Sequence, residues 1–276
     1  MNLDLHCHST ASDGALAPAA LVRRAAVQGV DVLALTDHDQ LEGLPEAREA
    51  AHAARIRLVD GVEISVTWRG VTLHVIGLHI DPAEETLLAG LRSVRSGRLE
   101  RAREMARSLE SAGLHGSFEG ALRHADNPAM VSRTHFARYL VEVGAVSDMR
   151  QAFRRYLVAG KPGYVPHRWA ALGDALAWIR AAGGQAVLAH PGRYALSAGA
   201  MDALLLEFRS AGGEGIEVVT GSHTPDQYAL FAALATKHGL AASRGSDFHG
   251  PGEGAELGAL PELDARLCAI WRHWEL

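Results

Sequence analysis

Lysine and cysteine are both scarce in this chain of 276 residues. Only Lys161 and Lys237 are lysines among its 27 basic residues, and Cys7 and Cys268 are the only two cysteines. Two cysteines exclude a disulfide framework and favour a reducing, cytoplasmic environment. No apolar run approaches the roughly 18 residues that a membrane span needs. We therefore expect a cytoplasmic protein that does not cross a membrane.

The chain also has neither a high content of charged residues nor a large net charge. Charged residues make up 21% of the chain and the formal net charge is −5. These values exclude intrinsic disorder and a globally basic nucleic-acid-binding protein. Because 48% of the residues are hydrophobic, the chain can bury a large core, either as one domain or as a domain with an insertion.

Strand-like apolar runs alternate with helical patterns at both ends of the sequence. This alternation predicts an α/β fold with a parallel sheet or barrel. We predict strands at 3–5, 30–35, 57–66, 71–78, 186–189, 215–219 and 240–243, with helices between most of them.

The middle of the chain interrupts this alternation. From Glu84 to Val158 only helical patterns are found, and the glycines and prolines of Gly160–Pro166 suit a linker. We therefore predict a barrel domain formed by residues 1–83 and 161–276, with a helical insertion at 84–160.

Histidines and carboxylates follow nearly every predicted strand. Parallel α/β folds place their chemistry at the carboxyl ends of strands, so these side chains should meet at one rim. The residues concerned are His6, His8, Asp37, His38, Glu63, His74, His190, Asp247 and His249. Imidazole and carboxylate groups suit borderline divalent cations, and one carboxylate can bridge two of them. Glu63 is our candidate bridge, whereas His74, among apolar neighbours, could also be a core histidine.

The order of these motifs resembles the polymerase and histidinol phosphatase (PHP) superfamily. The motifs are LHCHSTASDG, TDHD, GVEIS, the histidine of LHVIGL, SRTHFARYL, AHPGR and GSDFHG. The resemblance implies a distorted (β/α)7 barrel with a helical insertion. The stretches SGRLERAR, SRTHFAR and GKPGYV further resemble the branch of nucleoside 3′,5′-bisphosphate phosphatases, which includes 5′-to-3′ trimming ribonucleases.

The resemblance also implies a set of metal ligands. His6, His8, Glu63 and Asp247 would surround one metal. Glu63, His74 and His135 would hold a second, and Asp13, His38 and His249 a third. Asp13 and His190 would in addition be catalytic, His190 as a further ligand or as a phosphate or proton partner. Two or three divalent ions are implied, with Mn²⁺ favoured and Zn²⁺ or Fe²⁺ as alternatives.

The implied activity is hydrolysis of the 3′-phosphate of a nucleoside 3′,5′-bisphosphate by a hydroxide that bridges two metals. The first phosphodiester of a short 5′-phosphorylated RNA would fit the same site, and no obligate protein partner is implied. The resemblance assigns substrate binding to arginines of the insertion and to the residue after Arg133. These residues are Arg98, Arg101, Arg103, Arg133 and Thr134. Spacing alone, with Arg92, Arg95, Arg98 and Arg101 recurring every third residue, favours a solvated, salt-bridged helix.

Three other functions stay open at this point. A histidinol phosphatase would share the chemistry but need an acidic pocket for its ammonium substrate. An amidohydrolase often needs a carbamylated lysine, yet Lys161 lies in the linker and Lys237 on a predicted helix. A metal-binding module without catalysis is the third alternative. The sequence does not assign roles to His167 and His223.

Overall fold

A computed structural model describes residues 1–275, and its centre is a barrel of seven strands. The strands β1 to β8 span Leu3–Asp4, Val32–Leu35, Arg57–Trp68, Val71–Leu78, Ala170–Ala171, Gln185–Leu188, Gly215–Thr220 and Ala241–Gly245. Their order around the barrel is β1-β2-β3-β4-β6-β7-β8, while the short β5 pairs with β3 outside this path. Strand β4 is antiparallel to both of its neighbours, β3 and β6, and the other pairs are parallel.

Backbone hydrogen bonds between the first and last strands close the barrel. The amide of Leu5 donates to the Arg244 carbonyl at 3.1 Å, and the amide of Asp247 donates to the His6 carbonyl at 2.8 Å. The prediction of a distorted (β/α)7 barrel is therefore confirmed, and the reversed β4 is its distortion.

Ten α-helices surround or extend the barrel within the described residues. Helices α1 to α10 span Pro18–Val27, Leu44–Ala54, Glu85–Arg95, Arg98–Ser111, Ser117–Arg123, Arg133–Glu142, Met149–Ala152, Leu172–Ala181, Ala198–Ser210 and Pro225–His238. Helix α1 begins with Pro18 in its first turn and ends before Gly29, whose φ of 73° is the left-handed conformation that glycine adopts readily. None of the helices in residues 1–275 combines the length and apolarity that a bilayer crossing requires.

The barrel interior is apolar at one end and polar at the other. Leu3, Val32, Val59 and Val187 point inward near the starts of parallel strands and form a closed core. Inward-facing polar residues lie further along the same strands. On the reversed strand β4 the order is inverted, because the polar His74 precedes the apolar inward residues Ile76 and Leu78. Strand direction therefore decides where along each strand a polar side chain reaches the common rim.

The segment between β4 and β5 is helical and contains a second core. Buried residues from Ala102 to Leu157 pack together in a cluster separate from that of the barrel. Helix α3 differs, since Leu87 and Leu91 belong to the barrel's outer core and contact the layer of α8. The independently packed helices therefore begin at α4.

Candidate metal centre

Four side chains converge at the polar end of the barrel in a first group. Nε2 of His6 lies 3.3 Å from Oε2 of Glu63 and 3.4 Å from Oδ1 of Asp247. Nε2 of His8 lies 3.3 and 3.2 Å from the same two atoms and 3.2 Å from Nε2 of His6. Four ligands placed tetrahedrally about 2.1 Å from one ion are roughly 3.4 Å apart. The spacing of this group therefore matches that of a single coordinated cation.

Glu63 also takes part in a second group, through both of its oxygens. Nδ1 of His74 and Nε2 of His190 each lie 2.9 Å from Oε1 of Glu63, and Nδ1 of His38 lies 3.0 Å from Oε2. Since Oε1 faces His74 and His190 while Oε2 faces the first group and His38, Glu63 has the position that a bridging ligand needs. The structure thus brings His38 and His190 to the group for which the sequence suggested Glu63, His74 and His135.

A third group surrounds Asp13. Its Oδ1 lies 3.4 Å from Nε2 of His249, 3.9 Å from Nε2 of His38 and 4.0 Å from Nδ1 of His8. The structure therefore brings together the expected Asp13, His38 and His249, and adds His8 to them.

His135 belongs to none of the three groups within residues 1–275. It lies in the first turn of α6, where its Nδ1 accepts a hydrogen bond from the amide of Ser132 at 2.9 Å. Burial lowers the pKa of His135 to about 4, so this ring is neutral and suited to the acceptor role. The sequence analysis expected His135 beside Glu63 and His74, and the structure corrects this placement. His135 instead caps helix α6, and the hydroxyl of Ser132 at the same helix end donates to Asp13.

The buried negative charge of the centre favours binding of cations. Burial alone would raise the pKa values of Asp13, Glu63 and Asp247, but neighbouring histidines, and Arg193 beside Asp247, hold all three well below their ordinary values. Three carboxylates are thus ionised where almost no solvent reaches them. Several buried atoms here have no hydrogen bond, namely His8 Nδ1, Asp13 Oδ1, His38 Nδ1 and Glu63 Oε2. Native proteins rarely leave such atoms unpaired, so the donor set fits divalent metal ions.

Glu217 supports the centre from strand β7 and was not found from the sequence. Its Oε1 lies 3.0 Å from Nδ1 of His6, and its Oε2 accepts the backbone amide of His190 at 2.6 Å. A carboxylate behind a ligating histidine fixes the ring orientation and raises its basicity. The only sequence signal was one acidic residue in the apolar run GIEVV.

We expect Glu217→Gln to weaken metal binding by about tenfold to a hundredfold, because an amide supports the His6 ring less well than a carboxylate. Titration of the metal-free protein with Mn²⁺ measures this. Glu214→Gln is the matched control, since Glu214 is exposed just before the same strand. Equal affinities in the two variants would remove Glu217 from the support of the centre.

The two aspartates of the TDHD motif, Asp37 and Asp39, bind neighbouring serines and belong to none of the three groups of metal-ligand candidates in residues 1–275. Asp37 accepts hydrogen bonds from the hydroxyls of Ser9 and Ser12, both at 2.6 Å. Asp39 accepts from the amide and the hydroxyl of Ser65 at 2.7 and 2.8 Å. Only His38 of the motif faces the metal centre.

Two of the expected substrate arginines lack a carboxylate partner among the described residues. The hydrogen bonds of Arg101 and Arg133 go to the carbonyls of Val165 and Leu157. Burial, and then the charges of Arg133 and Arg98, lower the pKa of Arg101 to about 9. Burial also lowers the pKa of Arg133, and the charge of Arg193 lowers it further. These guanidinium groups therefore repel one another and would be stabilised by an anion.

The other expected substrate residues are placed differently. Arg103 is exposed and pairs with Glu100 at 3.4 Å, so the structure does not bring it to the centre. Arg98 is buried and paired with Asp39. Thr134 lies half-buried in the first turn of α6, with its amide bound to the Ser132 hydroxyl at 3.1 Å.

The AHPGR segment supplies Arg193, which sequence reasoning did not single out as a site residue. Its half-exposed guanidinium pairs with Asp247. His223 holds this segment in place, since its Nε2 accepts the amide of Gly192 at 3.0 Å. His167 packs against Trp169, with ring centres 4.2 Å apart, and stays outside the three groups.

Comparisons with known proteins match nearly the whole chain. A family model described as the PHP domain matches residues 4–160. The chain is 56% identical over 275 residues to the 3′,5′-nucleoside bisphosphate phosphatase of Chromobacterium violaceum, covering 99% of this chain and 96% of that protein. It is 44% identical over 268 residues to a 5′-3′ exoribonuclease of Haemophilus influenzae, covering 97% of each. The solved structure of an amidohydrolase from Chromobacterium violaceum, with bound sulfate and no metal, is 56% identical, with a TM-score of 0.96 over 99% of this chain and 95% of that one.

Proposed function

We propose, on the premise that this chain belongs to the PHP family, that it is a phosphoester hydrolase acting on the 3′-phosphate of nucleoside 3′,5′-bisphosphates. One observation carries this proposal. Arg133 interacts electrostatically with Asp13 of the buried centre and with the neighbouring Arg101, and neither guanidinium group has a carboxylate partner in residues 1–275. The centre suits phosphoester hydrolysis and the guanidinium groups suit an additional phosphate.

The three groups of side chains would hold two or three divalent ions. His6, His8, Glu63 and Asp247 would hold one, and His38, Glu63, His74 and His190 a second. Asp13, His38 and His249 would hold a third. Bound metals lower the pKa of water and neutralise charge on phosphoryl oxygens. Histidine and carboxylate donors suit Mn²⁺, Zn²⁺ and Fe²⁺ alike, and we propose Mn²⁺ first.

His190 and Asp13 are ligands in this proposal rather than free acids or bases. Nε2 of His190 lies 2.9 Å from Glu63 and 3.3 Å from Nδ1 of His74, so it points into the second group. Burial, and then the charge of Arg193, lower the pKa of His190 to about 3, which leaves a neutral imidazole able to ligate. Asp13 is oriented by the Ser132 hydroxyl at 2.9 Å.

The second phosphate of the substrate would bind Arg133 and Arg101. Guanidinium groups form strong, directional bonds with phosphate oxygens. The same arrangement would accept a short RNA whose 5′-phosphate binds the arginines while its first 3′-phosphodiester is cut. The exoribonuclease of Haemophilus influenzae supports this second candidate substrate.

The competing functions fit the site less well. A histidinol phosphatase would place its ammonium group against the guanidinium groups of Arg101 and Arg133. A carbamylated lysine is not at the centre, since Lys237 pairs with Asp202 on the surface and Lys161 is exposed. A metal-binding module without turnover would not need two partly buried guanidinium groups without a carboxylate partner in residues 1–275.

Arg133→Met tests the second-phosphate site. Charge-assisted hydrogen bonds contribute about 1.5–3 kcal/mol, so kcat/KM on adenosine 3′,5′-bisphosphate should fall by about tenfold to a hundredfold. Hydrolysis of p-nitrophenyl phosphate, which lacks a second phosphate, should fall much less. Arg101→Met should behave similarly.

The matched control is Arg123→Met, because Arg123 is an exposed arginine paired with Glu142. We expect it to leave the ratio of the two activities unchanged. An equal loss on both substrates in Arg133→Met would mean that Arg133 supports the reacting phosphate, and the second-phosphate site would be abandoned at that position. Phosphate release from histidinol phosphate and 5′-phosphorylated RNA in the same assay separates the remaining substrates.

A further inference from the structure

Arg98 differs from Arg101 and Arg133 because its charge is compensated by a buried carboxylate. It begins helix α4, is 5% exposed, and its Nη2 pairs with the carboxylate of Asp39. The same nitrogen lies 3.1 Å from the hydroxyl of Ser65, and the guanidinium stacks over Trp169 at 4.7 Å. A guanidinium held on three sides inside the protein is poorly placed to bind a substrate phosphate.

The partner of Arg98 connects two strands that carry ligands. Asp39 follows His38 directly, and Ser65 lies two residues after Glu63 on β3. The Asp39 carboxylate binds both the amide and the hydroxyl of Ser65, and the Asp39 amide donates to the Glu63 carbonyl at 2.8 Å. Asp39 therefore sets the distance between His38 and Glu63, whose ligand atoms are 3.0 Å apart.

The backbone at Asp39 needs such support. Its φ is 50°, a left-handed conformation that is uncommon for residues with a side chain. Arg95, at the end of α3, donates from Nη1 to the Asp39 carbonyl at 2.6 Å. The junction between α3 and α4 thus contacts Asp39 at its carbonyl and at its carboxylate.

From these contacts we propose that Arg98 is a positioning residue of the metal centre, which holds His38 and Glu63 at ligand spacing through Asp39 and Ser65. The start of α4 would thereby set the affinity of the barrel for its metal ions. The inference rests on the metal dependence of the proposed function and is independent of which phosphoester is the substrate.

Metal binding by Arg98→Met provides the test. Titration of the metal-free protein with Mn²⁺ should show affinity about tenfold to a hundredfold below that of the unchanged protein, the usual effect of losing a support behind a ligand. Arg98→Lys, which keeps one charged contact with Asp39, should recover part of the affinity. Arg107→Met is the matched control on the same helix, because Arg107 is 66% exposed and its carboxylate partner is the exposed Glu100.

Kinetics with p-nitrophenyl phosphate give a second readout. If Arg98 positions ligands, the lost activity of Arg98→Met should return as the Mn²⁺ concentration is raised. Unchanged Mn²⁺ affinity, together with an increased KM for the bisphosphate alone, would make Arg98 a substrate residue and overturn the proposal. A lower melting temperature of the metal-free protein with unchanged Mn²⁺ affinity would overturn it too.

If Arg98→Met fails to fold because Asp39 is left without its partner, a double variant still tests the proposal. The variant with both Asp39→Asn and Arg98→Met buries no unpaired charge. It should fold and again bind Mn²⁺ at least about tenfold more weakly, since the ion pair is lost in both variants. Affinity equal to that of the unchanged protein would refute the role of this ion pair.

Discussion

Glu63→Gln should lose bound metal and activity together. Both oxygens of Glu63 face ligand groups, and a neutral amide offers one poor oxygen donor and a nitrogen that cannot ligate. Metal ions supply several kcal/mol of transition-state stabilisation in such sites. At about 1.4 kcal/mol per decade, kcat/KM should therefore fall by at least about a thousandfold.

Metal analysis of the purified variant, beside steady-state kinetics, checks this expectation. The matched control is Glu119→Gln, because Glu119 is an exposed glutamate of α5 and should keep both properties. Full metal content with normal turnover in Glu63→Gln would exclude Glu63 from the centre.

His74→Asn should abolish most activity while the fold persists. The ring is half-buried, and its Nδ1 lies 2.9 Å from Glu63, at the position of a ligand in the second group. Losing a ligand should reduce kcat/KM by at least about a hundredfold. The free energy of unfolding of the metal-free protein should change by only about 1 kcal/mol, as is common for single substitutions.

The alternative, that His74 is only a core histidine, makes the opposite prediction. A core residue changed to asparagine would lower the melting temperature and leave kcat and KM unaltered. His52→Asn is the control for the substitution itself, because His52 is exposed on α2. Normal kinetics in a less stable His74→Asn would favour the core interpretation.

The positions of the strands could be predicted well, because strands and helices differ in the spacing of their apolar residues. The expected strands at 57–66 and 71–78 correspond to Arg57–Trp68 and Val71–Leu78. Parallel strands bring their carboxyl ends together, so His6, His8 and Asp247 could be grouped although they come from opposite ends of the chain. The reversed direction of β4 could not be predicted, since alternation of apolar residues is the same in both directions.

The parts of the centre that escaped prediction depend on three-dimensional neighbours. Glu217 lies within a buried strand, where one acidic residue in an apolar run carries no positional signal. The spacing of arginines on α4 did not show that Arg98 faces inward while Arg103 faces solvent. His135 was grouped with Glu63 by resemblance, whereas its local sequence SRTH makes it part of a helix cap.

The reversed strand β4 also affects the order in which the centre assembles during synthesis. His74 and Glu63 are only 11 residues apart and share one hairpin, whereas His8 and Asp247 are 239 apart. Hairpins form within about 1–10 μs, while contacts between distant residues must first overcome loop-closure entropy. His38, Glu63 and His74 of the second group all lie within the first third of the chain. The first group waits for the residue that follows the last strand, so a chain that stops short of β8 would carry His6, His8 and Glu63 without Asp247, their fourth ligand.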